Sequence, residues 1–296
     1  MRSRRSCLSV PGSSAKMLDK ARGLDADEIV IDLEDAVVPA AKDEARAAVA
    51  AALREGEWQA GTVTVRINAT ATEWCEYDIR ELIGGGRSAL DCLVVPKVES
   101  PADIELVERL VDRAEADGES DEGVGLQGLV ETAIGLRRVY EIAESGDRLE
   151  ALIIGFADLA ASLGRPGGTD YPGDSWHWVR ETVLVAARAA GLQAIDGPHL
   201  RIEDLDGLRE EALRARALGY DGKWALHPTQ VAPLNEIFGP SQEEFDRSAA
   251  ILAALDEGEQ GRGRGAVMLD GEMLDEASRK LAAQVVARGQ AAGLGS

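Results

Sequence analysis

The sequence predicts an α/β fold, a (β/α)8 TIM barrel with a C-terminal helical lid extension. Three observations point there: eight short apolar runs, amphipathic stretches between them, and no glycine-rich phosphate turn after the first run. A doubly wound open sheet would place G-x-G-x-x-G at that turn, where this chain has PGSS. In order, the strand runs are 6–10 (SCLSV), 28–33 (EIVIDL), 62–68 (TVTVRIN) and 92–98 (CLVVPKV). They continue at 125–131 (GLQGLVE), 151–157 (ALIIGFA), 193–197 (QAIDG) and 222–227 (GKWALH). Most are continuous rather than alternating, the pattern of parallel strands covered on both faces. Helix periodicity falls at 14–24, 40–55, 74–84, 101–117, 133–145, 176–191 and 203–218, with a last pair at 229–237 and 241–256.

Two segments stand outside this alternation. Residues 164–175 (GRPGGTDYPGDS) form a Gly/Pro-rich loop where a barrel carries a functional βα loop. Residues 257–266 (EGEQGRGRGA) read as a flexible linker, followed by a helical stretch at 272–290. The expected organisation is therefore a barrel domain over 1–256, a linker over 257–266 and a lid segment over 267–296.

The composition excludes several classes of protein. Fifty-three acidic residues against thirty-two basic ones give a net charge of −21, a surface that repels nucleic acid and anionic membranes. No run approaches the roughly 20 apolar residues of a membrane span, and the basic start lacks the apolar core of a signal peptide. Three cysteines without metal spacing suit a reducing compartment, so a cytoplasmic location is expected. Within residues 1–22, Arg2, Arg4, Arg5, Lys16, Lys20 and Arg22 face only Asp19, a patch that either attracts an anionic ligand or is a solvated terminus.

In a TIM barrel, polar groups at the C-terminal strand ends face the active site. Those ends carry Asp32, Glu34, Asp35, Arg66, Asn68, Lys97, Glu99, Glu131, Asp158, Asp196 and His227. Carboxylates crowded on one rim repel each other unless a cation joins them, and without clustered Cys or His that cation is Mg²⁺ rather than zinc. Each residue also has a plainer role: Asp158 and Glu131 as helix caps, Asp35 as a partner for Lys42 and Arg46, His227 as a strand end satisfied by backbone. An Arg inside VTVRIN must find an anion on the rim, and a bidentate carboxylate is its natural partner.

Ordered motifs along nearly the whole chain resemble the HpcH/HpaI aldolase and citrate lyase β-subunit-like family. They are SVPGS (9–13), VIDLEDAVVPAAKDEAR (30–46), VRIN (65–68), VPKVES (95–100), LVETAIGL (129–136), IIGFADLAASLG (153–164), DSWHWV (174–179), AIDGP (194–198) and DGKWALHPTQV (221–231). The resemblance implies a Mg²⁺-dependent carbon–carbon lyase, with Mn²⁺ able to substitute, acting on a CoA thioester and a small 2-oxo acid. The WHW and GKWALHP segments favour (S)-malyl-CoA or β-methylmalyl-CoA cleavage to glyoxylate and acetyl- or propionyl-CoA. Citramalyl-CoA cleavage, a citrate lyase β subunit and a non-catalytic CoA-binding paralogue are the alternatives.

By the same resemblance, Glu131 and Asp158 are the metal ligands, with Asp32 and Glu34 supporting them. Arg66 holds the oxo-acid carboxylate. Ser9, Val10, Lys20, Ala157, Leu226 and His227 contact substrate, and Asp275 in LDGEMLDEASRK (269–280) is the acid/base, carried by a lid swapped onto an adjacent subunit. That swap implies a homo-oligomer, a trimer or dimer of trimers. One departure is visible: where relatives carry Arg just after the PGS turn, this chain has Ser14, with Lys16 nearby.

Overall fold

The computed structural model describes residues 2–84, 89–118, 123–165, 175–262 and 265–295. Two compact units divide them, one spanning Arg4–Asn235 and the other joining the N-terminal residues to Glu236–Ser296.

The first unit is a closed parallel barrel with its eight strands in chain order. The strands are β1 (Ser6–Pro11), β2 (Glu28–Asp32), β3 (Thr62–Arg66), β4 (Cys92–Val95), β5 (Gly125–Val130), β6 (Leu149–Ile154), β7 (Gln193–Asp196) and β8 (Gly222–Ala225). Closure comes from β1 pairing with β8, Leu8 opposite Ala225. Around it lie α1 (Ala15–Ala21), α2 (Lys42–Arg54), α3 (Trp74–Ile83), α4 (Pro101–Gly118), α5 (Ala133–Arg137), α6 (Val139–Ala143), α7 (Phe156–Ser162), α8 (His177–Ala189), α9 (Leu205–Leu218) and α10 (Val231–Phe238). All eight predicted strands are present. The helix predicted over 133–145 is two short ones separated at Arg138, and Pro228–Gln230 forms a 3-10 turn before α10.

Side chains on a strand alternate faces, so the strand sequences sort into interior layers. At the N-terminal end, Arg4 enters the barrel and binds Glu28 at 2.8 Å and Glu150 at 2.6 Å, while Gln127 donates to Glu28 at 2.6 Å. One step along the strands sits an apolar plug including Val30, Val94, Leu129, Ile195 and Trp224. A further two residues along, the interior positions of β2 and β3 and the residue ending β5 are Asp32, Arg66 and Glu131. The plug seals the barrel below this last layer, so its charges face the C-terminal mouth. Gly12 seats the first turn: its N–H reaches the Asp32 carbonyl at 2.8 Å, and a Cβ there would come within 2.9 Å of that same oxygen.

Parity also corrects the sequence reading of Asp196. Ile195 belongs to the interior plug, so Asp196 points outward, where it is fully buried against Arg180 of α8 (2.9 Å) and Lys223 (2.7 Å). Asp196 is therefore not a rim group. The basic terminal patch is likewise dispersed. Arg4 is inside the barrel, Arg5 is held by Asp27 at 2.8 Å, and Arg22 donates to the Ala52 carbonyl at 2.9 Å. Of those cations in this unit, Lys16 and Lys20 remain exposed, on α1.

In the second unit, α11 (Gln242–Arg262) continues through residues 257–262, which the sequence reading assigns to a linker. Glu and Gln there propagate the helix despite Gly258 and Gly261. The helical stretch expected from 272 instead begins with a hairpin, β9 (Val267–Leu269) and β10 (Glu272–Leu274), before α12 (Glu276–Ala291). Asp270 and Gly271 both have positive φ, as a tight hairpin turn requires. Among the described residues, no helix is long and apolar enough to cross a membrane.

Candidate active site

The rim site is built around Arg66. Its Nε and Nη2 donate to the two carboxylate oxygens of Asp32 at 2.8 and 2.5 Å, the bidentate pair that an Arg in an apolar strand demands. Asp32 is itself fixed, accepting from the backbone N–H groups of Glu34 (2.8 Å) and Ala36 (3.1 Å). Arg66 Nη1 lies 3.0 Å from Glu34 Oε2, and its guanidinium stacks 5.6 Å from the Trp224 ring centroid. Removing one partner from such a buried pair costs about 3–5 kcal/mol, because the other charge is stranded.

Lys97 closes the arrangement from β4. Its Nζ donates to Glu34 Oε1 and lies 3.6 Å from Asp35, while its backbone N–H donates to Glu131 Oε1 at 2.9 Å. Asp35 thus pairs with Lys97 rather than with Lys42 and Arg46. Lys42 donates to the Leu33 and Glu34 carbonyls at 2.7 Å each, and Arg46 to Asp78 at 2.7 Å. Asp78, buried on α3, also accepts both the backbone and side-chain N–H of Asn68. The sequence reading missed Asp78; an acid on the buried face of WCEYDIRELI was its signal. A cleft of about 440 Å³ opens beside Glu34 and Lys97, walled by Val37, Pro39, Asn68 and Trp74.

Glu131 is the most perturbed acid of the rim. Burial raises its pKa to about 8; the charges of Glu34 and Asp158 push the same way, and those of Arg66 and Lys97 oppose them. Burial likewise raises Glu34. Glu131 does not cap α5: that role belongs to Thr132, whose hydroxyl accepts from Gly135 N at 3.0 Å. Asp158 is not a cap either, since Gly155 precedes α7 as its N-cap position without a side-chain cap, leaving Asp158 half-buried in the first turn. Gly155 makes room for the site: a Cβ there would lie 2.5 Å from Glu131 Oε2.

A hard divalent cation fits these donors. Mg²⁺ takes oxygen ligands, needs only one or two protein carboxylates and fills its octahedron with water and substrate. Glu131 and Asp158 are two carboxylates of this rim close enough for the charge of one to raise the other. Glu34 Oε2 is buried on the same rim and meets Arg66 Nη1 at 3.0 Å as an ion pair, without a hydrogen bond of good geometry. Among the described residues, no group of three or more His, Cys, Asp or Glu is arranged to hold a metal, so an all-protein cage is not built here.

Strand closure brings four of the other predicted contacts to one end of the barrel. β1 adjoins β8, so half-buried Ser9 and buried Val10 sit at the same barrel end as Leu226 and His227. Leu226 N donates to Gln230 Oε1 at 2.8 Å. His227 is exposed and caps the following 3-10 turn, its Nδ1 2.9 Å from Thr229 Oγ1. Ser14 caps α1 and Lys20 lies exposed in its last turn; Ala157 is exposed beside Asp158. Glu99 belongs to the β4–α4 loop, where its N–H donates to Asp103 at 3.1 Å. Asp275 lies in the second unit, where its side chain caps α12 by accepting from Ala277 N at 2.9 Å and Ser278 N at 3.2 Å. Of the loop predicted over 164–175, residues 166–174 lie outside the described residues.

A parallel barrel with an acidic, arginine-anchored mouth defines the class: a TIM barrel whose C-terminal rim gathers buried carboxylates around a bidentately paired arginine. Residues 5–228 match the HpcH/HpaI aldolase/citrate lyase family, and the chain belongs to it. It is 36% identical over 291 residues to an L-malyl-CoA/beta-methylmalyl-CoA lyase of Cereibacter sphaeroides, covering 93% of this chain and 91% of that one. A (3S)-malyl-CoA thioesterase of the same species is 34% identical, with 97% and 95% covered. Among solved structures, protein CitE from Mycobacterium tuberculosis, in complex with magnesium, acetoacetate and coenzyme A, is 32% identical. Its TM-score is 0.73, covering 96% of this chain and 97% of that one.

Proposed function

We propose that the protein is a Mg²⁺-dependent carbon–carbon lyase that reversibly cleaves malyl-CoA or β-methylmalyl-CoA to glyoxylate and acetyl-CoA or propionyl-CoA. The observation that carries this reading is the rim layer itself: a buried, bidentately anchored Arg66 beside Glu131 and Asp158. Similarity to the Cereibacter lyase supports the substrate, and the magnesium and coenzyme A of the CitE complex support the cation and the thioester.

In this reading Glu131 and Asp158 hold Mg²⁺, for which Mn²⁺ can substitute. When bound, the cation polarises the carbonyl oxygen of the 2-oxo acid. Arg66 binds the oxo-acid carboxylate through the N–H groups that Asp32 and Glu34 leave free, and those two acids keep its guanidinium in place. Ser9, Val10, Lys20, Ala157, Leu226 and His227 contact the thioester substrate. Asp275, carried on the tail of a neighbouring copy in a trimer or dimer of trimers, moves one proton. In condensation it takes the proton from the acyl α-carbon, which then bonds to the carbonyl carbon. The carbonyl oxygen becomes a hydroxyl by taking a proton from water. In cleavage the hydroxyl gives its proton back to water, the carbon–carbon bond breaks, and Asp275 returns its proton to the α-carbon.

The test is an assay of the purified chain on malyl-CoA and citramalyl-CoA, with and without EDTA. EDTA-sensitive release of glyoxylate and acetyl-CoA from malyl-CoA supports the proposal. Pyruvate from citramalyl-CoA alone would reassign the oxo acid, and free CoA thiol with malate would make the protein a thioesterase. No turnover on either would leave a carrier-bound thioester or a binding role as the better reading.

A further inference from the structure

Lys97 is one of two non-glycine residues with positive φ among the described residues, at 51°, and the other lies in the tail hairpin turn. A non-glycine residue persists in that conformation only where its surroundings over-determine it, and such strain concentrates at functional sites. The left-handed turn gives Lys97 two separate holds. Its backbone N–H reaches Glu131 Oε1 at 2.9 Å, on β5's end, while its side chain reaches back to Glu34 after β2 and approaches Asp35. Glu34 in turn touches Arg66 with its other oxygen, 3.0 Å from Nη1. One residue thus joins the cationic anchor to the acid assigned to the metal.

We propose that Lys97 is a positioning residue that fixes Arg66's anion grip, through Glu34, relative to Glu131. The inference rests on the functional reading above for the identity of the anion. Two features support it. The Lys97 side chain is about one-third exposed and lines the cleft beside Glu34, so it is not an ordinary core ion pair. Without its ammonium, Asp35 loses the cation 3.6 Å away and Glu34 keeps only its contact with Arg66, held at one oxygen instead of two. The chemistry recognised is that of a 2-oxo acid, whose carboxylate must sit on Arg66 while its carbonyl oxygen lies toward Glu131. A change in the spacing of the two holds therefore weakens oxo-acid binding selectively.

The experiment compares full-length wild type with Lys97→Ala, Lys97→Gly and Lys97→Arg by isothermal titration. Glyoxylate, pyruvate and oxaloacetate are titrated in the presence of Mn²⁺; CoA and Mn²⁺ are titrated separately. Binding needs no turnover, so an inactive wild-type chain would overturn the lyase reading while the titrations still decide the role of Lys97. Ala and Gly are expected to weaken oxo-acid binding roughly tenfold or more, as loss of a charge-assisted contact does. CoA and Mn²⁺ affinities stay within about threefold, because the backbone N–H on Glu131 is retained. Arg recovers most of the loss, whereas Gly, which adopts positive φ without strain, behaves like Ala in binding but melts higher. Wild-type-like oxo-acid binding in Lys97→Ala overturns the proposal. So does a parallel loss of all three ligands that tracks the melting temperature, or a wild-type chain that binds none of the oxo acids.

Discussion

Glu131→Gln separates what this acid does for the site from what it does to the fold. Burial holds the folded-state pKa at about 8, against the ordinary 4.5 of an unperturbed Glu. A group whose folded pKa is raised contributes stability that is complete below the unfolded value and is lost as pH rises through the folded one. The metal-free wild type should therefore lose stability progressively between about pH 4.5 and pH 8. At pH 7 the lost contribution is on the order of 3 kcal/mol, from about 1.4 kcal/mol per unit over the roughly 2.5 units between 4.5 and 7. Gln is isosteric, never ionises and keeps an oxygen for the Lys97 N–H. Metal-free Glu131→Gln should then melt roughly 5 °C or more above wild type at pH 7, with the gap shrinking toward pH 4.5. Millimolar Mg²⁺ should raise the wild-type melting temperature and leave the variant unmoved, and catalysis should be lost. The assay is differential scanning calorimetry at pH 5, 6, 7 and 8, with EDTA or Mg²⁺. A variant less stable than wild type at pH 7, or equally stabilised by Mg²⁺, would refute the reasoning that Glu131 is a strained acid held for a cation.

Asp158→Ala should abolish Mg²⁺-dependent turnover with little effect on melting, since the side chain is half-buried and caps nothing; unchanged activity in the thioester assay would remove it as a ligand. Gly155→Ala places a Cβ 2.5 Å from Glu131 Oε2, so Mg²⁺ affinity should fall at least tenfold by titration while circular dichroism stays native. Asp275→Asn should lower kcat by about 10²-fold or more with KM for the thioester nearly constant, the signature of a lost proton-transfer group; a change confined to KM would make it a binding residue. Deletion after Arg262 removes Asp275 and should eliminate turnover while Mn²⁺ binding to the barrel persists; retained turnover would exclude the tail from catalysis.

Local pattern was enough for the barrel. Eight buried runs rich in Val, Ile and Leu announce parallel strands because such strands are covered on both faces, and their spacing leaves room only for helical crossovers. Arg66 was legible for a similar reason: a guanidinium within an apolar run has to be paired, and it is, by Asp32. The tail hairpin was also written in the chain, as Asp270–Gly271 between β9 and β10, but the following helix pattern masked it. Helix α11 outran its expected end because glycine lowers helix propensity without forbidding helix, and neighbouring Glu and Gln compensate.

The partners of the charged groups were not legible. Asp196 and Asp32 both end apolar strands, yet one faces Arg180 and Lys223 outside the barrel and the other faces Arg66 inside it. Only strand parity, set by the closed register, distinguishes them. The same holds for Lys97: VPKVES shows a lysine after a strand, but its left-handed backbone and its reach to Glu34 and Glu131 depend on β2, β4 and β5 standing side by side. The sequence by itself determined the fold class, the family and the residue types at the mouth, because these follow from local periodicity and ordered motifs. The tertiary structure alone decided which carboxylate is neutralised by an arginine, which is raised by burial, and which is spent on packing, because those outcomes depend on through-space distances between residues on different elements, such as Asp196 and Lys223 or Asp32 and Arg66.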